Sequence, residues 1–222
     1  MANLACYVCG HINGVAKIHS AIIAKNTLSQ WYQLYPERFS NKTNGITFRR
    51  WLAISNDELY KYLCKLLKTD VVKEPSALSR LSEFCENDEV LEGLYEIRRS
   101  NKKRLCAYIR KNEHVSLNDE SIFFIQIKRI HEYKRQLLNA FSILYIYFGI
   151  KDGSIKNISP VTFIFGAKSA PGYRRAKAII KYINEIAEII SSDNEVNKLI
   201  NVVFVSNYNV SYAEKLVAAE SR

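Results

Sequence analysis

The segment Lys128-Arg129-Ile130-His131-Glu132-Tyr133-Lys134-Arg135-Gln136 carries four fixed cations and one carboxylate within nine residues. It follows the β-branched and aromatic run Ile122–Ile127 and precedes a long apolar stretch. It therefore reads as a junction where a buried strand ends and a helix, residues 132–148, begins. A helix N-terminus leaves backbone N–H groups unpaired and carries partial positive charge. Lys128, Arg129, Lys134 and Arg135 add to that charge, and Glu132 offsets only part of it, so the arrangement is favourable only beside an anion. In open α/β sheets ligands bind beyond the carboxyl ends of the strands. The anion that suits amides together with charge-assisted bonds is a phosphate. The plain structural alternative is a solvated basic helix start facing an acidic surface. His131 reads as a structural histidine rather than as an acid or base.

The rest of the chain must position this junction. Residues 4–9 read as a short strand. Val15, Ile18, Ile22 and Ile23 give residues 13–25 helical spacing, and an aromatic helix over 28–35 is stopped by Pro36. Residues 40–50 read as a polar loop with a turn signal at Asn44-Gly45. Three helices follow. Residues 56–68 are capped by Asn56 and apolar at Leu59, Tyr62, Leu63 and Leu66. Residues 75–85 have Pro75 in the first turn, and residues 88–111 are long, charged and mostly amphipathic. After Ser116 the order becomes β-α-β-α-β-α, with strands at 122–127, 161–165 and 202–205 and helices at 132–148, 173–190 and 211–220. That order predicts an α/β fold: a Rossmann-like parallel sheet with right-handed crossovers, preceded by a helical segment. The last helix reaches Arg222 without a cap signal, so the sheet is expected to be unfinished.

Composition narrows the function classes. With 48% hydrophobic and 24% charged residues in 222, the chain is of the globular class. No run approaches the roughly 20 unbroken apolar residues of a membrane span. Met1-Ala-Asn-Leu-Ala-Cys6 has no basic flank before its apolar run, which predicts no secretory signal and a cytoplasmic location. The five cysteines, Cys6, Cys9, Cys64, Cys85 and Cys106, are odd in number and irregular in spacing, against a disulfide framework. Cys6-x-x-Cys9 has no second Cys/His pair at zinc spacing; it reads as small residues on a short buried strand, and no metal is expected. The net charge of +10 asks for an anionic partner. Yet the basic residues are spread along helices or gathered at one junction, with no zinc-finger spacing and no aromatic RNA-binding strand. Neither nucleic acid nor membrane is the expected partner.

The run Lys128-Arg-Ile-His-Glu-Tyr-Lys-Arg-Gln-Leu-Leu-Asn139 resembles the signature segment of the α-glucan (glycogen and starch) phosphorylases. So do Asn13-Gly14-Val15-Ala16 with Ile18-His19-Ser20, and Asn41-Lys42-Thr43-Asn44-Gly45-Ile46-Thr47 with Arg49-Arg50-Trp51-Leu52. So do Lys168 with Ala170-Pro171-Gly172-Tyr173, and Asn207-Tyr208-Asn209-Val210-Ser211. The motifs stand in the family's order, at nearly its spacing, from end to end of the chain. The resemblance implies part of the C-terminal half of a two-domain GT-B type glycosyltransferase. Residues 1–44 would be the end of the first domain and the connection, and residues 45–222 the helical segment and first half of the cofactor-binding domain. It implies phosphorolysis of terminal α-1,4-glucosidic bonds to glucose 1-phosphate with retained configuration, through the phosphate of pyridoxal 5′-phosphate. The partners implied are α-1,4-glucan and inorganic phosphate, with a homodimer for the full-length family.

By the same resemblance, Lys128 lies near the cofactor phosphate, and Arg129 and Lys134 clamp the substrate phosphate as the catalytic pair. Tyr133 and Asn44 contact sugar hydroxyls, and Trp51 and Tyr208 neighbour the cofactor. Trp51 and Tyr208 also fit core aromatics, and Asn44 also fits a turn before Gly45. The chain departs from the family at Phe48, where a proline is usual, and in the loop Cys9-Gly10-His11-Ile12, which is a residue short. It departs again after Leu216, where the usual proline is missing. The family's cofactor-bearing lysine belongs to a Gly-Thr-x-Asn-Met-Lys segment, whereas the one methionine here is Met1. The chain alone is therefore expected to be an inactive fragment.

Overall fold

The computed structural model describes residues 1–220, and the chain divides into two compact units, Met1–Thr47 and Phe48–Arg222. The first is thinly cored, with Cys6 and Gly14 its buried residues. Helix α1 (Ala2–Val8) leads to strand β1 (Ile12–Gly14), helices α2 (Lys17–Ile22) and α3 (Ser29–Leu34), and strand β2 (Phe39–Asn41). β1 and β2 are parallel, with Ile12 opposite Phe39 and Gly14 opposite Asn41. Gly14 is required by close approach, since a Cβ there would stand 2.6 Å from the Ser20 backbone nitrogen. A single π turn, Ile23–Thr27, prolongs α2, and the Leu28 N–H closes it on the Ile23 carbonyl at 2.8 Å.

Two expectations fail in this unit. Residues 4–9 are not a strand: they lie in and just beyond α1, whose end is closed by the Cys9 N–H donating to the Ala5 carbonyl at 2.8 Å. Ala and Leu favour helix, and among the described residues no strand pairs with this segment. The Asn44-Gly45 turn is not made either, and neither residue has positive φ. Instead the Lys42 and Asn44 N–H groups donate to the Gly14 and Val15 carbonyls at 2.9 and 3.0 Å, so the chain runs on beside β1.

The second unit opens with a π segment, Arg49–Ile54, then helix α4 (Asp57–Leu67), a 3-10 run Pro75–Phe84, and the long helix α5 (Asp88–Glu113). Leu63, Leu67 and Val71 centre a small cluster closed by Leu59, Leu78 and Leu81. Asn56 precedes α4 as read, but its side chain does not cap the helix; it accepts from Asn101 Nδ2 at 3.0 Å. Strands β3 (Ile122–Ile127), β4 (Val161–Gly166) and β5 (Ile200–Val205) form a parallel sheet in that order, with Ile122 opposite Val161 and Val161 opposite Ile200. Helices α6 (Gln136–Lys151), α7 (Arg174–Ser192) and α8 (Val210–Ala219) alternate with them. This is the α/β architecture the sequence predicts. The expectation for the chain end falls partly on Ser221 and Arg222, which lie outside the described residues.

The sheet is the middle of three layers. Phe163 and Phe165 of β4 pack with Ala140 and Ile143 of α6 and with Ile179, Ile183, Ile186 and Ile190 of α7. Ile164 faces the other way, into Leu105 and Ile109 of α5 and Tyr212 and Leu216 of α8. Alternation along β4 thus feeds both cores, as a parallel strand covered on both faces requires. Each fully buried side chain of this size contributes about 1.5–3 kcal/mol. α6 is apolar on nearly every side, yet Leu138 and Phe141 remain 56% and 50% exposed. Among the described residues no helix is long and apolar enough to cross a membrane.

Candidate functional site

Residues 128–136 leave the carboxyl end of β3, but they do not open a helix at Glu132. Residues 132–134 make one 3-10 turn, closed by the Lys134 N–H on the His131 carbonyl at 2.9 Å. Arg135 then takes a left-handed backbone, φ 62°, and α6 begins only at Gln136. A left-handed residue cannot continue an α-helical ladder, so Lys134 and Arg135 lie on the loop that precedes the helix. No side chain caps α6, and its first N–H groups face the loop side.

Buried groups hold the loop in place. Ile130, 4% exposed, sinks into the core, and its N–H donates to the Lys168 carbonyl of the β4–α7 loop at 3.2 Å. Gln136 is 1% exposed. Its Nε2 donates to the carbonyls of Lys128 and Arg129 at 3.3 and 3.1 Å, and its Oε1 accepts from the His131 N–H at 3.5 Å. Gln126, near the end of β3, donates to the Lys134 carbonyl at 3.4 Å and accepts from Asn139 Nδ2 at 2.9 Å.

The electrostatics follow from this backbone. Lys128, Arg129 and Arg135 are exposed and Lys134 is half-buried. Among the described residues none of the four has a carboxylate within 4.0 Å. Glu132, the one acid of the run, is engaged elsewhere. Arg175 Nη1 donates to both its oxygens at 3.0 and 3.1 Å, and the Tyr173 hydroxyl donates at 3.0 Å. Those bonds, Arg175's first, hold its carboxyl below the usual range. Burial, and then Glu132, push the Tyr173 phenol up. The His131 ring, on an exposed residue, lies 4.4 Å from that of Tyr133 and 5.7 Å from that of Tyr173. Lys134 Nζ stands 5.6 Å from the Tyr133 ring centre.

The other predicted residues are placed as follows. Tyr208 sits just past β5 and packs on the core of Ile164, Val203 and Val205; burial pushes its phenol up. It closes over Gly166 at the carboxyl end of β4, where a Cβ would meet the Tyr208 ring at 3.1 Å. Trp51 lies in the π segment; its neighbour Arg50 bonds Glu214 of α8 at 2.7 Å. Asn44 belongs to the first unit. Lys128, Arg129, Tyr133 and Lys134 thus lie on the loop after β3, and Tyr208 lies past the end of β5.

Sequence reading missed Gln126, Gln136, Tyr173 and Arg175 as builders of the junction. Gln126 was findable, being a polar residue inside an otherwise apolar strand. Gln136 was not, because nothing local marks a glutamine in a charged run as buried. Next to the junction, between α6 and α7, lies an open cleft of about 850 Å³ bedded on Leu137, Phe141, Ile179 and Tyr182, with His131, Glu132, Arg135 and Arg175 at its rim. Its bed is apolar, and Lys128 and Arg129 do not line it.

Comparison with known proteins shows the family of the chain. The family described as carbohydrate phosphorylase matches residues 1–221. An α-1,4 glucan phosphorylase L isozyme, chloroplastic/amyloplastic, from Vicia faba is 41% identical over 99% of this chain and 22% of its own length. A liver-form glycogen phosphorylase from Bos taurus is 42% identical over 99% of this chain and 26% of its own. A glycogen phosphorylase from Bacillus subtilis is 43% identical over 99% and 27%. The chain therefore spans about a quarter of the length of the curated relatives it matches. With an α/β parallel sheet and a family match over nearly every residue, the chain belongs to the carbohydrate phosphorylase family.

Proposed function

We propose that this chain is the phosphate-binding segment of an α-glucan phosphorylase, a hexosyltransferase that cleaves terminal α-1,4-glucosidic bonds of glycogen, starch or maltodextrin with inorganic phosphate to give glucose 1-phosphate. The observation that carries the reading is the pair of exposed cations Lys128 and Arg129, free of carboxylate partners among the described residues, at the carboxyl edge of the sheet. In this proposal residues 1–44 end one domain of a GT-B enzyme and residues 45–222 begin the next. The complete protein works in the cytoplasm as a homodimer.

Pyridoxal phosphate, the cofactor in this reading, needs cations and amides for its phosphate. Lys128 and the open N–H groups at the start of α6 are donors of that kind, and they fit it. When bound, that phosphate supplies proton exchange with the substrate phosphate. Lys128 neutralises the cofactor phosphate, while Arg129 and Lys134 hold the substrate phosphate against it. Two phosphates side by side repel strongly unless cations are already in place, so a preformed cluster stabilises the reacting arrangement. Tyr133 offers a phenol to sugar hydroxyls, and Trp51 and Tyr208 shape the cofactor's surroundings. The isolated chain is inactive in this reading, because the cofactor-bearing lysine lies in a segment it does not contain.

The test is a phosphate titration of the 222-residue chain followed by backbone amide NMR. Amides of residues 128–136 should shift at millimolar phosphate. A folded chain whose amides there stay still would overturn the proposal. A salt-sensitive shift with random duplex DNA would favour a nucleic-acid reading instead.

A further inference from the structure

The geometry points to Gln136 as a positioning residue that presets the phosphate-binding loop, an inference that rests on the phosphate reading above. Its side chain is 1% exposed and directs both donors and one acceptor contact to a single loop. The two N–H bonds of Nε2 go to the consecutive carbonyls of Lys128 and Arg129, at 3.3 and 3.1 Å. Oε1 takes the His131 N–H at 3.5 Å. The three contacts also fix which way the amide points, because carbonyls must face the nitrogen and an N–H must face the oxygen. Both peptide groups that carry the two acid-free cations are thus tied to the first residue of α6.

The tie matters because these peptides have few alternatives. Arg135 is left-handed, so the helix ladder does not reach back to hold the Lys128 and Arg129 carbonyls. Without Gln136 the two like-charged side chains would repel each other and spread. An anion would then have to pay the ordering cost on binding. Gln126 does the same for the other end of the loop, holding the Lys134 carbonyl at 3.4 Å. Gln136 therefore touches no ligand and acts through Lys128 and Arg129.

Two measurements on the full chain test this. In the native protein, phosphate should shift the Gln136 side-chain amide protons together with the Arg129 backbone amide. In Gln136→Met, which keeps the volume but donates nothing, the phosphate Kd should rise roughly tenfold, the size of one to two lost hydrogen bonds. The comparison variant is Thr162→Val. It also breaks a buried bond, Thr162 Oγ1 to Ser121 Oγ at 2.6 Å, but at the amino end of β4, and its Kd should change by less than about twofold. A purely structural role for Gln136 predicts loss of stability with an unchanged Kd at a temperature where all variants are folded. That result overturns the inference. Should Gln136→Met fail to fold, unmoved Gln136 side-chain protons beside a shifted Arg129 amide overturn it just as well. A native chain that does not bind phosphate at all sinks the underlying reading first, and that failure is visible before any variant is made.

Discussion

Arg129→Ala is the most direct perturbation of the proposed site. The side chain is exposed and has no carboxylate within 4.0 Å among the described residues, so its removal breaks no ion pair of the fold. The backbone carbonyl that receives the Gln136 amide at 3.1 Å is kept. Surface changes of this kind stay within about 0.5 kcal/mol, or roughly 1–2 °C in melting temperature. Phosphate affinity should fall instead. A hydrogen bond to a charged group is worth about 1.5–3 kcal/mol. Solvent screening at this open sheet edge lowers that to about 1 kcal/mol, which is roughly fivefold in Kd. In a complete enzyme, with water excluded, the same truncation should cost about 2–4 kcal/mol of transition-state stabilisation. The assay is the phosphate titration at fixed ionic strength, since screening changes with salt. Arg110→Ala, an exposed arginine on α5, is run beside it. Equal changes in Kd from both variants, or none from either, would refute the reasoning.

Three further outcomes follow from the geometry. Glu132 has its carboxyl held down by Arg175 and Tyr173, so its contribution to stability is complete above the ordinary value of 4.5 and lost as pH falls below it through the depressed folded value. Glu132→Gln should therefore narrow the difference in melting temperature between pH 7 and pH 3.5; an unchanged difference would show that the Arg175 pair does nothing for the fold. Ile183, 1% exposed between α7 and the sheet, should cost about 2–5 kcal/mol when changed to Ala, read from the urea midpoint, and a loss under about 1 kcal/mol would mean that face is not packed as described. Incubation with pyridoxal phosphate, borohydride reduction and peptide mapping should label no single lysine stoichiometrically, and no glucose 1-phosphate should be released from glycogen; one fully labelled lysine with turnover would contradict the proposed inactivity of the isolated chain.

The three strands of the sheet were legible because 122–127, 161–165 and 202–205 are dense in β-branched and aromatic residues, and such runs have few competing conformations once buried. The inward face of α7 was legible for a similar reason: Ala176, Ile179, Ile180, Ile183, Ile186 and Ile190 repeat at helical spacing, and all but the half-buried Ile180 are buried. The cationic run after β3 was legible as a cluster of charge through residue type alone. Local pattern failed where it had too little length to work with. α1 spans seven residues and β1 and β2 three each, so neither period repeats often enough to separate strand from helix.

What composition and spacing determined, then, is which charges stand together at the end of which strand. Which of those charges stay free was decided only in three dimensions. Glu132 sits amid the cations in sequence, yet it pairs with Arg175, 43 residues on, and so leaves Lys128 and Arg129 without a carboxylate partner among the described residues. Arg135 breaks the expected helix start, and the buried amide of Gln136 gathers the loop instead. Hydrogen bonds between distant residues depend on how β3 and β4 lie side by side, and that register is a property of the packed sheet rather than of any local run of residues.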